Sequence, residues 1–324
     1  MSGAGRHTTV GVFCDGAPWS DFLFEQCDDA GGYHKHLRLR PLDRGADVLL
    51  LFGNLPEEMG GYKARGLKRK MLKSQGRLDA EALERTVAGF GRSRDDLIML
   101  VYEPSDAYSD AWFETANRMF GTVMAPDDRA GTKIVLPTMW TDPDSVRVFE
   151  AMEPNHDRPM DLACITSGKN LWAGHAERLG FLKLLGESGV SMDLFGRGLS
   201  RDLGTHHRLG GGVRVKSSIL RASKMTLAIE NTADNDRYVT EKLWDPLLNW
   251  SLPLYYGSGA CDSMIPSDAF IRIPDLGEAG VACVRESLAT EGLWESRLDA
   301  IGEARRRILG EHRLVELLAR VVPA

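Results

Sequence analysis

The pattern of apolar and polar positions in residues 224–257 predicts a strand, a helix and a second strand in that order. Residues 225–229 form an apolar run that is long enough for a buried strand and too short for a helix. After a polar loop, apolar residues recur with the period of an α-helix. These positions are Leu243, Trp244, Leu247 and Leu248. Residues 253–256 form a second apolar run, which ends at Gly257.

Two strands that are joined by a single helix run parallel, so this unit predicts a parallel sheet. In open parallel sheets, ligands bind outside the carboxyl ends of the strands. Glu230 and Asn231 directly follow the first strand, and Tyr238, Glu241 and Lys242 are predicted to open the helix. These five polar side chains are therefore candidate binding residues.

Similar alternations of apolar runs and helical segments lie on both sides of residues 151–160, which are polar, contain prolines and lack periodicity. The runs that predict further strands include residues 8–14, 47–52, 97–101, 161–166 and 192–195. A chain of 324 residues is also long enough for two domains. We therefore expect an α/β fold with two domains, residues 1–152 and residues 153–324.

The composition is typical of a soluble globular protein, with 43% hydrophobic and 27% charged residues. The net charge of −6 provides no global basic field, so we expect no nucleic-acid partner. One basic stretch, residues 62–73, leaves two interpretations open: a solvated segment, or a contact with an anionic acceptor. No apolar run approaches the length of about 18 residues that a membrane helix needs.

The five cysteines, at positions 14, 27, 164, 261 and 283, are scattered and lack the CxxC spacing of zinc sites. An odd number of scattered cysteines favours a reducing compartment over a disulfide framework. The N-terminal residues lack the apolar core of a signal peptide. We therefore expect a cytoplasmic protein without a transmembrane segment.

Three further residues lie at positions that suit chemistry. Glu103 follows the third predicted strand and precedes Pro104, which places a carboxylate at a strand's carboxyl end. Arg178 lies in the first turns of a predicted helix, and its permanently charged fork suits a diphosphate. Gly196 follows another strand, and a glycine there allows a backbone to approach a ligand closely.

The central unit contains the segments IEN (229–231), RYVTEKLWDPL (237–247) and LPLYYGS (252–258). In this order they resemble the signature of the α1,3-fucosyltransferase family, glycosyltransferase family 10. The resemblance implies a GT-B-like fold, in which two Rossmann-like α/β domains face a central cleft, with the acceptor side in the N-terminal domain and the donor side in the C-terminal one. It also implies an inverting enzyme that transfers L-fucose from GDP-fucose to a hydroxyl of a glycan or glycoconjugate in an α1,3 linkage.

The resemblance further implies roles for single residues. Glu103 would be the general base that takes the proton of the acceptor hydroxyl. Arg178 and Lys242 would neutralise the charge that develops on the departing nucleotide diphosphate. Glu241 suits phosphates poorly by its own chemistry, and as an acceptor it would suit the ribose hydroxyls, as acidic residues do in dinucleotide-binding folds.

The other candidate residues surround the same donor. Asn231 and Tyr238 can donate hydrogen bonds to phosphate oxygens, and a helix that begins at residues 238–242 would add its dipole. Gly196 would belong to a glycine turn that the family also has. Glu230 keeps two interpretations, because it can contact the fucose hydroxyls or order the loop.

Two acidic triplets, residues 142–144 and 234–236, have the DxD pattern of metal-dependent glycosyltransferases. Both lie in loops rich in turn-forming residues, where acidic side chains are common. Bare carboxylate pairs also bind Mg²⁺ weakly without substrate phosphates. We therefore interpret both triplets as non-ligands and expect no required cofactor, with stimulation by Mg²⁺ or Mn²⁺ left open.

Two alternatives compete with fucosyl transfer. One is a related glycosyltransferase with another nucleotide sugar or a non-oligosaccharide acceptor, because the N-terminal half departs from the family pattern. The other is a nucleotide-sugar-binding protein without catalysis, against which the presence of Glu103, Arg178 and Lys242 speaks. Within the family, a chain without an anchor or disulfides is typical of bacterial members.

Overall fold

The computed structural model describes residues 7–14, 23–52, 80–103, 108–141, 143–170 and 173–324. The basic stretch 62–73 and Asp142 of the first acidic triplet lie outside the described residues. The chain forms two compact units. The first consists of Met1–Pro137, Pro143–Val146 and Arg313–Ala324, and the second of Thr138–Asp142 and Arg147–His312.

Among the described residues, the first unit contains a seven-stranded sheet with the order β2-β3-β1-β4-β5-β6-β7. Its strands are β1 Thr8–Cys14, β2 Tyr33–His34, β3 Leu37–Pro41, β4 Val48–Phe52, β5 Leu97–Leu100, β6 Thr122–Ala125 and β7 Thr132–Lys133. Each neighbouring pair is parallel except the hairpin of β2 and β3. The apolar runs of β4 and β5 are buried, as expected for central strands of a parallel sheet that is covered on both faces.

In the described part of the second unit, six strands form an all-parallel sheet with the order β10-β9-β8-β11-β12-β13. Its strands are β8 Met160–Ile165, β9 Asp193–Phe195, β10 Arg208–Gly211, β11 Ser223–Ile229, β12 Leu252–Tyr256 and β13 Ile271–Arg272. The predicted α/β class is therefore confirmed in both units.

Helices connect these strands and cover the sheets. They are α1 Ala80–Ala88, α2 Asp110–Met119, α3 Val146–Ala151, α4 Ala173–Glu187, α5 Ser217–Leu220, α6 Glu241–Leu248, α7 Cys261–Met264, α8 Glu278–Ala289, α9 Leu293–Ser296, α10 Leu298–Gly310 and α11 Leu314–Val321. None of these described helices combines the length and the apolar character that crossing a membrane requires.

The strand, helix and strand predicted within residues 224–257 are present as β11, α6 and β12. β11 and β12 pair in parallel from Met225 with Leu252 to Ile229 with Tyr256. The four apolar residues of the helical stripe are each 0% exposed. The period of the apolar positions thus predicted both the helix and its buried face.

The start of that helix differs from the prediction, which placed Tyr238 at its N-terminus. α6 begins at Glu241, and Thr240 is its N-cap, with an extended backbone and a side-chain oxygen that accepts from the Lys242 N–H. Tyr238 lies in the preceding loop, where it is 2% exposed. The correction has a physical reason: a threonine with extended backbone dihedrals supplies the acceptor that a helix N-terminus needs.

The C-terminal segment belongs to the first unit, whereas the expected division at residue 152 placed it in the second. The Leu314 N–H donates to Gln26 Oε1 at 2.8 Å, and Arg313 Nη1 donates to the Gln26 carbonyl at 2.6 Å. A ring nitrogen of His36 lies 2.9 Å from the carbonyl oxygen of Val322. These contacts attach α11 to the region around the β2–β3 hairpin.

Candidate functional site

Four parallel strands of the second sheet end at one edge, so the segments that follow them lie side by side. β8, β9, β11 and β12 form a continuous part of this sheet. The Thr166 N–H donates to the Phe195 carbonyl at 2.9 Å, and the Glu230 N–H donates to the Tyr256 carbonyl at 2.9 Å. This edge is where ligands bind in open parallel sheets, and it holds the predicted donor residues.

Glycines allow these segments to pack closely. A Cβ atom at Gly196, whose φ is 152°, would lie 1.6 Å from the carbonyl oxygen of Thr166. A Cβ atom at Gly174 would lie 1.9 Å from the carbonyl oxygen of Asn231. Gly196 therefore allows two segments of the protein to approach each other closely. A larger residue at either glycine would push the packed segments apart.

Arg178 is buried at this edge, with 3% of the residue exposed. Its Nη1 donates to Asn231 Oδ1 at 2.7 Å, and its Nη2 donates to the Ser167 carbonyl at 3.3 Å. Asn231 therefore helps to position the guanidinium. Burial lowers the pKa of Arg178, yet the group stays cationic because its ordinary pKa lies far above neutrality.

Glu230 orders the loop and the start of α6. Its carboxylate is fully buried and accepts from the Thr240 N–H at 2.7 Å, from the Thr240 hydroxyl and from Lys242 Nζ at 3.3 Å. Of the two interpretations of Glu230, these contacts support the ordering role. Burial raises the pKa of Glu230, and the ammonium of Lys242 opposes that shift.

Lys242 lies among carboxylates, with 21% of its side chain exposed. Glu241 Oε1 is 3.8 Å from Lys242 Nζ and 3.9 Å from Lys216 Nζ. Burial acts against the charged form of Lys242, but Glu241 and Glu230 outweigh it, so the pKa of Lys242 is raised. Lys242 is therefore a half-buried cation that is held in place by two acidic neighbours.

Glu103 lies in the first unit, three residues beyond Leu100 at the end of β5, and is half-buried. Burial raises the pKa of the neighbouring Tyr108 phenol, and the charge of Glu103 raises it further. The strand that was predicted to precede Glu103 is present as β5, and Glu103 lies beyond its carboxyl end.

Two features of the site were not predicted from the sequence. His175, in the first turn of α4, is 4% exposed, and burial together with the charges of Arg178, Lys169 and Lys242 lowers its pKa to about 4. Asp245 is also buried. The sequence contains no signal for Asp245, because the periodic pattern of α6 consists of its apolar residues. It contains none for His175, because a histidine three residues before an arginine is common.

Asp245 joins α6 to a distant segment of the second unit. It accepts from the Thr141 N–H at 3.0 Å, from the Thr141 hydroxyl at 2.6 Å and from Lys216 Nζ at 2.9 Å. Burial raises the pKa of Asp245, and Lys216 opposes the shift. The helix that carries Glu241 and Lys242 is therefore fixed from both its N-terminus and its middle.

No group of three or more His, Cys, Asp or Glu side chains that could hold a metal ion occurs in the described ranges of the chain. Arg178, Lys242 and the exposed Lys169 carry positive charges at the strand ends. Together with the N–H groups at the start of α4, they can bind an anion such as a diphosphate.

The family model that describes the C-terminal part of glycosyltransferase family 10 (fucosyltransferase) matches residues 162–282. These residues are therefore similar to the C-terminal domain of that family. The match contains most of β8 and all of β11, α6 and β12, with Arg178, Asn231 and Lys242, so it includes the ends of these strands. The protein is thus a glycosyltransferase.

Solved structures of two kinds of glycosyltransferase share the fold. A crystal structure of an α1,3-fucosyltransferase with GDP is 14% identical, with a TM-score of 0.51 over 92% of this chain and 83% of that one. An α-glucosyltransferase in complex with UDP and a mismatched 13-mer DNA is 11% identical, with a TM-score of 0.59 over 97% of this chain and 99% of that one. The expected GT-B class is thereby confirmed.

Proposed function

We propose that this glycosyltransferase transfers L-fucose from GDP-fucose to a hydroxyl of a glycan acceptor, with inversion and in an α1,3-type linkage. The observation that supports this most strongly is the family 10 match over residues 162–282, the segment in which Arg178, Glu230 and Lys242 meet at the strand ends. In this proposal the second unit binds the donor and the first binds the acceptor.

The donor diphosphate would bind between Arg178 and Lys242. Arg178 offers a guanidinium that Asn231 already orients, and a charged donor to a phosphate oxygen forms a strong hydrogen bond. Glu241 would accept from the ribose hydroxyls, and the Tyr238 hydroxyl would donate to phosphate. Gly196 would keep the neighbouring turn close to the donor, and Glu230 would hold the loop that carries these groups.

The reaction would be a single displacement. Glu103 would take the proton of the acceptor hydroxyl while its oxygen forms a bond to C1 of fucose, and the bond from C1 to the diphosphate oxygen would break. The electron pair would remain on that oxygen, where Arg178 and Lys242 offset the new charge. Attack from the face opposite the leaving group inverts the configuration at C1. The proposed scheme requires no metal ion.

A second candidate is transfer from another nucleotide sugar. The α-glucosyltransferase complex contains UDP and has a TM-score of 0.59, against 0.51 for the fucosyltransferase with GDP. A shared fold does not determine the base that a donor site selects. GDP is therefore proposed from the family match, and UDP is the alternative to test.

A thermal-shift panel of GDP, UDP, CDP and TDP tests the donor directly. A nucleotide at about a hundred times its dissociation constant raises stability by about 2.7 kcal/mol. We expect stabilisation by GDP alone. Stabilisation by UDP or TDP instead would support the second candidate, and no response to any nucleotide would contradict the proposed donor site.

Replacement of Glu103 tests the catalytic proposal. We expect Glu103→Gln to reduce turnover by about 10²- to 10⁴-fold, the usual contribution of a general base, while the stabilisation by GDP stays unchanged. Glu114→Gln, which neutralises an exposed carboxylate of α2, is the matched control and should keep full activity. Normal turnover in Glu103→Gln would assign the base to another residue.

We also propose that the protein acts in a reducing compartment such as the cytoplasm. Cys27, Cys164, Cys261 and Cys283 are all free thiols, and the first three are buried. Burial raises the pKa of both Cys27 and Cys164 to about 12, so these thiols are unreactive and suit a structural role.

A further inference from the structure

His175 is buried beside the proposed donor site, and no step of the proposed reaction uses it. It lies in the first turn of α4 and is 4% exposed. Arg178 follows it by three residues, so the two side chains lie on the same face of the helix. The start of α4 also packs tightly on Asn231, because a Cβ atom at Gly174 would lie only 1.9 Å from the carbonyl oxygen of that residue.

The charges of three cations act on the imidazole of His175. Arg178 belongs to its own helix, Lys169 to the segment after β8, and Lys242 to α6. Nε of Arg178 is buried and has no hydrogen-bond partner within the described residues. A buried imidazole among three cations is neutral, because its protonation would add a further positive charge.

We propose that His175 takes up a proton from solvent when a nucleoside diphosphate binds beside Arg178 and Lys242, so that donor affinity depends on pH. This inference rests on the proposed function, because it requires a diphosphate at the strand ends. The diphosphate brings roughly two to three negative charges, which offset the field of the three cations and favour the protonated imidazole. His175 thereby becomes a donor-site residue whose charge follows the occupancy of the site.

The sign of the pH dependence follows from the surroundings of His175. Without nucleotide, burial and the three cations lower its pKa to about 4. A bound diphosphate raises that pKa, and between the two values the complex holds a proton that the free protein does not. Affinity therefore increases as the pH falls through the pKa of the complex, by up to about tenfold per pH unit, and levels off below the pKa of the free protein.

Isothermal titration calorimetry with GDP-fucose measures this proton directly. Its diphosphate is esterified at both ends, so it lacks the terminal phosphate proton with a pKa of about 6 that would obscure the result. Titrations at about pH 5.5 in two buffers with different ionisation enthalpies give the number of protons taken up per nucleotide. We expect uptake by the wild-type protein and none by His175→Gln, whose amide forms hydrogen bonds but does not titrate.

His206→Gln, which replaces an exposed histidine of the same unit, is the matched control and should keep the full uptake. Equal uptake by the wild-type protein and His175→Gln would overturn the inference and leave the proposed function intact, as would binding without any uptake. Failure of both GDP and GDP-fucose to bind would instead contradict the proposed function, and the inference with it.

Histidine NMR spectra of the wild-type protein provide a second measurement that does not depend on the folding of His175→Gln. We expect the imidazole of His175 to titrate near pH 4 in the free protein, and to titrate at higher pH when GDP-fucose is bound. If every histidine titrates identically with and without the nucleotide, the inference is wrong.

Discussion

At the scale of single residues, two cations of the proposed donor site are held by different chemistry. Arg178 is oriented by neutral acceptors, the Asn231 side chain and the Ser167 carbonyl. Lys242 is oriented by carboxylates, with Glu230 Oε2 at 3.3 Å and Glu241 Oε1 at 3.8 Å. Carboxylates therefore offset the charge of Lys242 more closely than that of Arg178, and we expect Arg178 to dominate diphosphate binding.

Arg178→Lys tests that expectation. A lysine keeps the charge but loses the planar fork that reaches Asn231 and a phosphate at once. Hydrogen bonds to charged groups contribute about 1.5 to 3 kcal/mol, so we expect the affinity for GDP to fall by about 10- to 100-fold in calorimetric titrations. Arg306→Lys, at an exposed position of α10, should bind GDP normally. Unchanged affinity in Arg178→Lys would remove Arg178 from the donor site.

The burial of His175 also predicts how the stability of the protein without nucleotide depends on pH. Its pKa is lowered from 6.5 to about 4, so between these pH values the unfolded chain binds a proton that the folded protein does not. Stability should therefore be lost as the pH falls from 6.5 to about 4, by up to about 3 kcal/mol from this group.

Urea denaturation across this pH range measures the effect. We expect the free energy of unfolding to fall less steeply with decreasing pH in His175→Gln than in the wild-type protein. The comparison uses the slope with pH, because the substitution also changes packing at every pH. An unchanged slope would mean that His175 titrates normally in the folded protein.

At the scale of elements, the start of α6 depends on a contact between residues that are ten positions apart. The Thr240 hydroxyl accepts from the Lys242 N–H at 3.4 Å, while the Thr240 N–H and hydroxyl donate to the Glu230 carboxylate. One threonine thus caps the helix and provides a buried carboxylate with two of its donors. The end of β11 and the start of α6 form one hydrogen-bonded unit.

Thr240→Ala should therefore destabilise the protein by more than a simple loss of a helix cap. Loss of an N-cap costs about 0.5 to 2 kcal/mol, and a buried acceptor that loses a partner costs about 1 to 3 kcal/mol more. Thr240→Ser keeps the hydroxyl and should remain close to the wild-type stability. Denaturant unfolding of the two variants measures the difference, and equal stabilities would show that the hydroxyl contributes little.

At the scale of the whole molecule, the first unit contains residues from both ends of the chain. Leu318 of α11 is 0% exposed, and Lys35 of the β2–β3 hairpin forms an ion pair with Glu316 of the same helix. Thr8 of β1 donates to the Pro323 carbonyl at 3.1 Å. The stability of the N-terminal sheet therefore depends on the last residues of the sequence.

Leu318→Ala tests this dependence. A leucine-to-alanine change in a core destabilises by about 2 to 5 kcal/mol. We expect hydrogen exchange measured by mass spectrometry to accelerate in residues 33–41, and the stabilisation by GDP to remain. Leu309→Ala, in α10 of the second unit, should instead accelerate exchange in that unit. Faster exchange confined to the second unit in Leu318→Ala would contradict the assignment of α11.

Local patterns were enough to predict the order of elements around the site. The apolar run before Glu230 and the helical stripe that begins at Leu243 predicted β11 and α6, because the burial of neighbouring positions follows the period of each element. The start of α6 was predicted three residues too early. An N-terminus depends on which side chain caps it, and the environment of Thr240 includes a carboxylate from another strand.

The sequence by itself determined the α/β class, the parallel sheet of the central unit and the polar residues at its strand ends, since each follows from the spacing of neighbouring residues. Tertiary structure alone decided which of these side chains touch. The pairing of Glu230 with Lys242, the effect of Lys242 on His175, the anchoring of Asp245 by Lys216 and the attachment of α11 to the first unit all join separate segments of the chain. Such contacts form when separate elements pack together, and no local period records them.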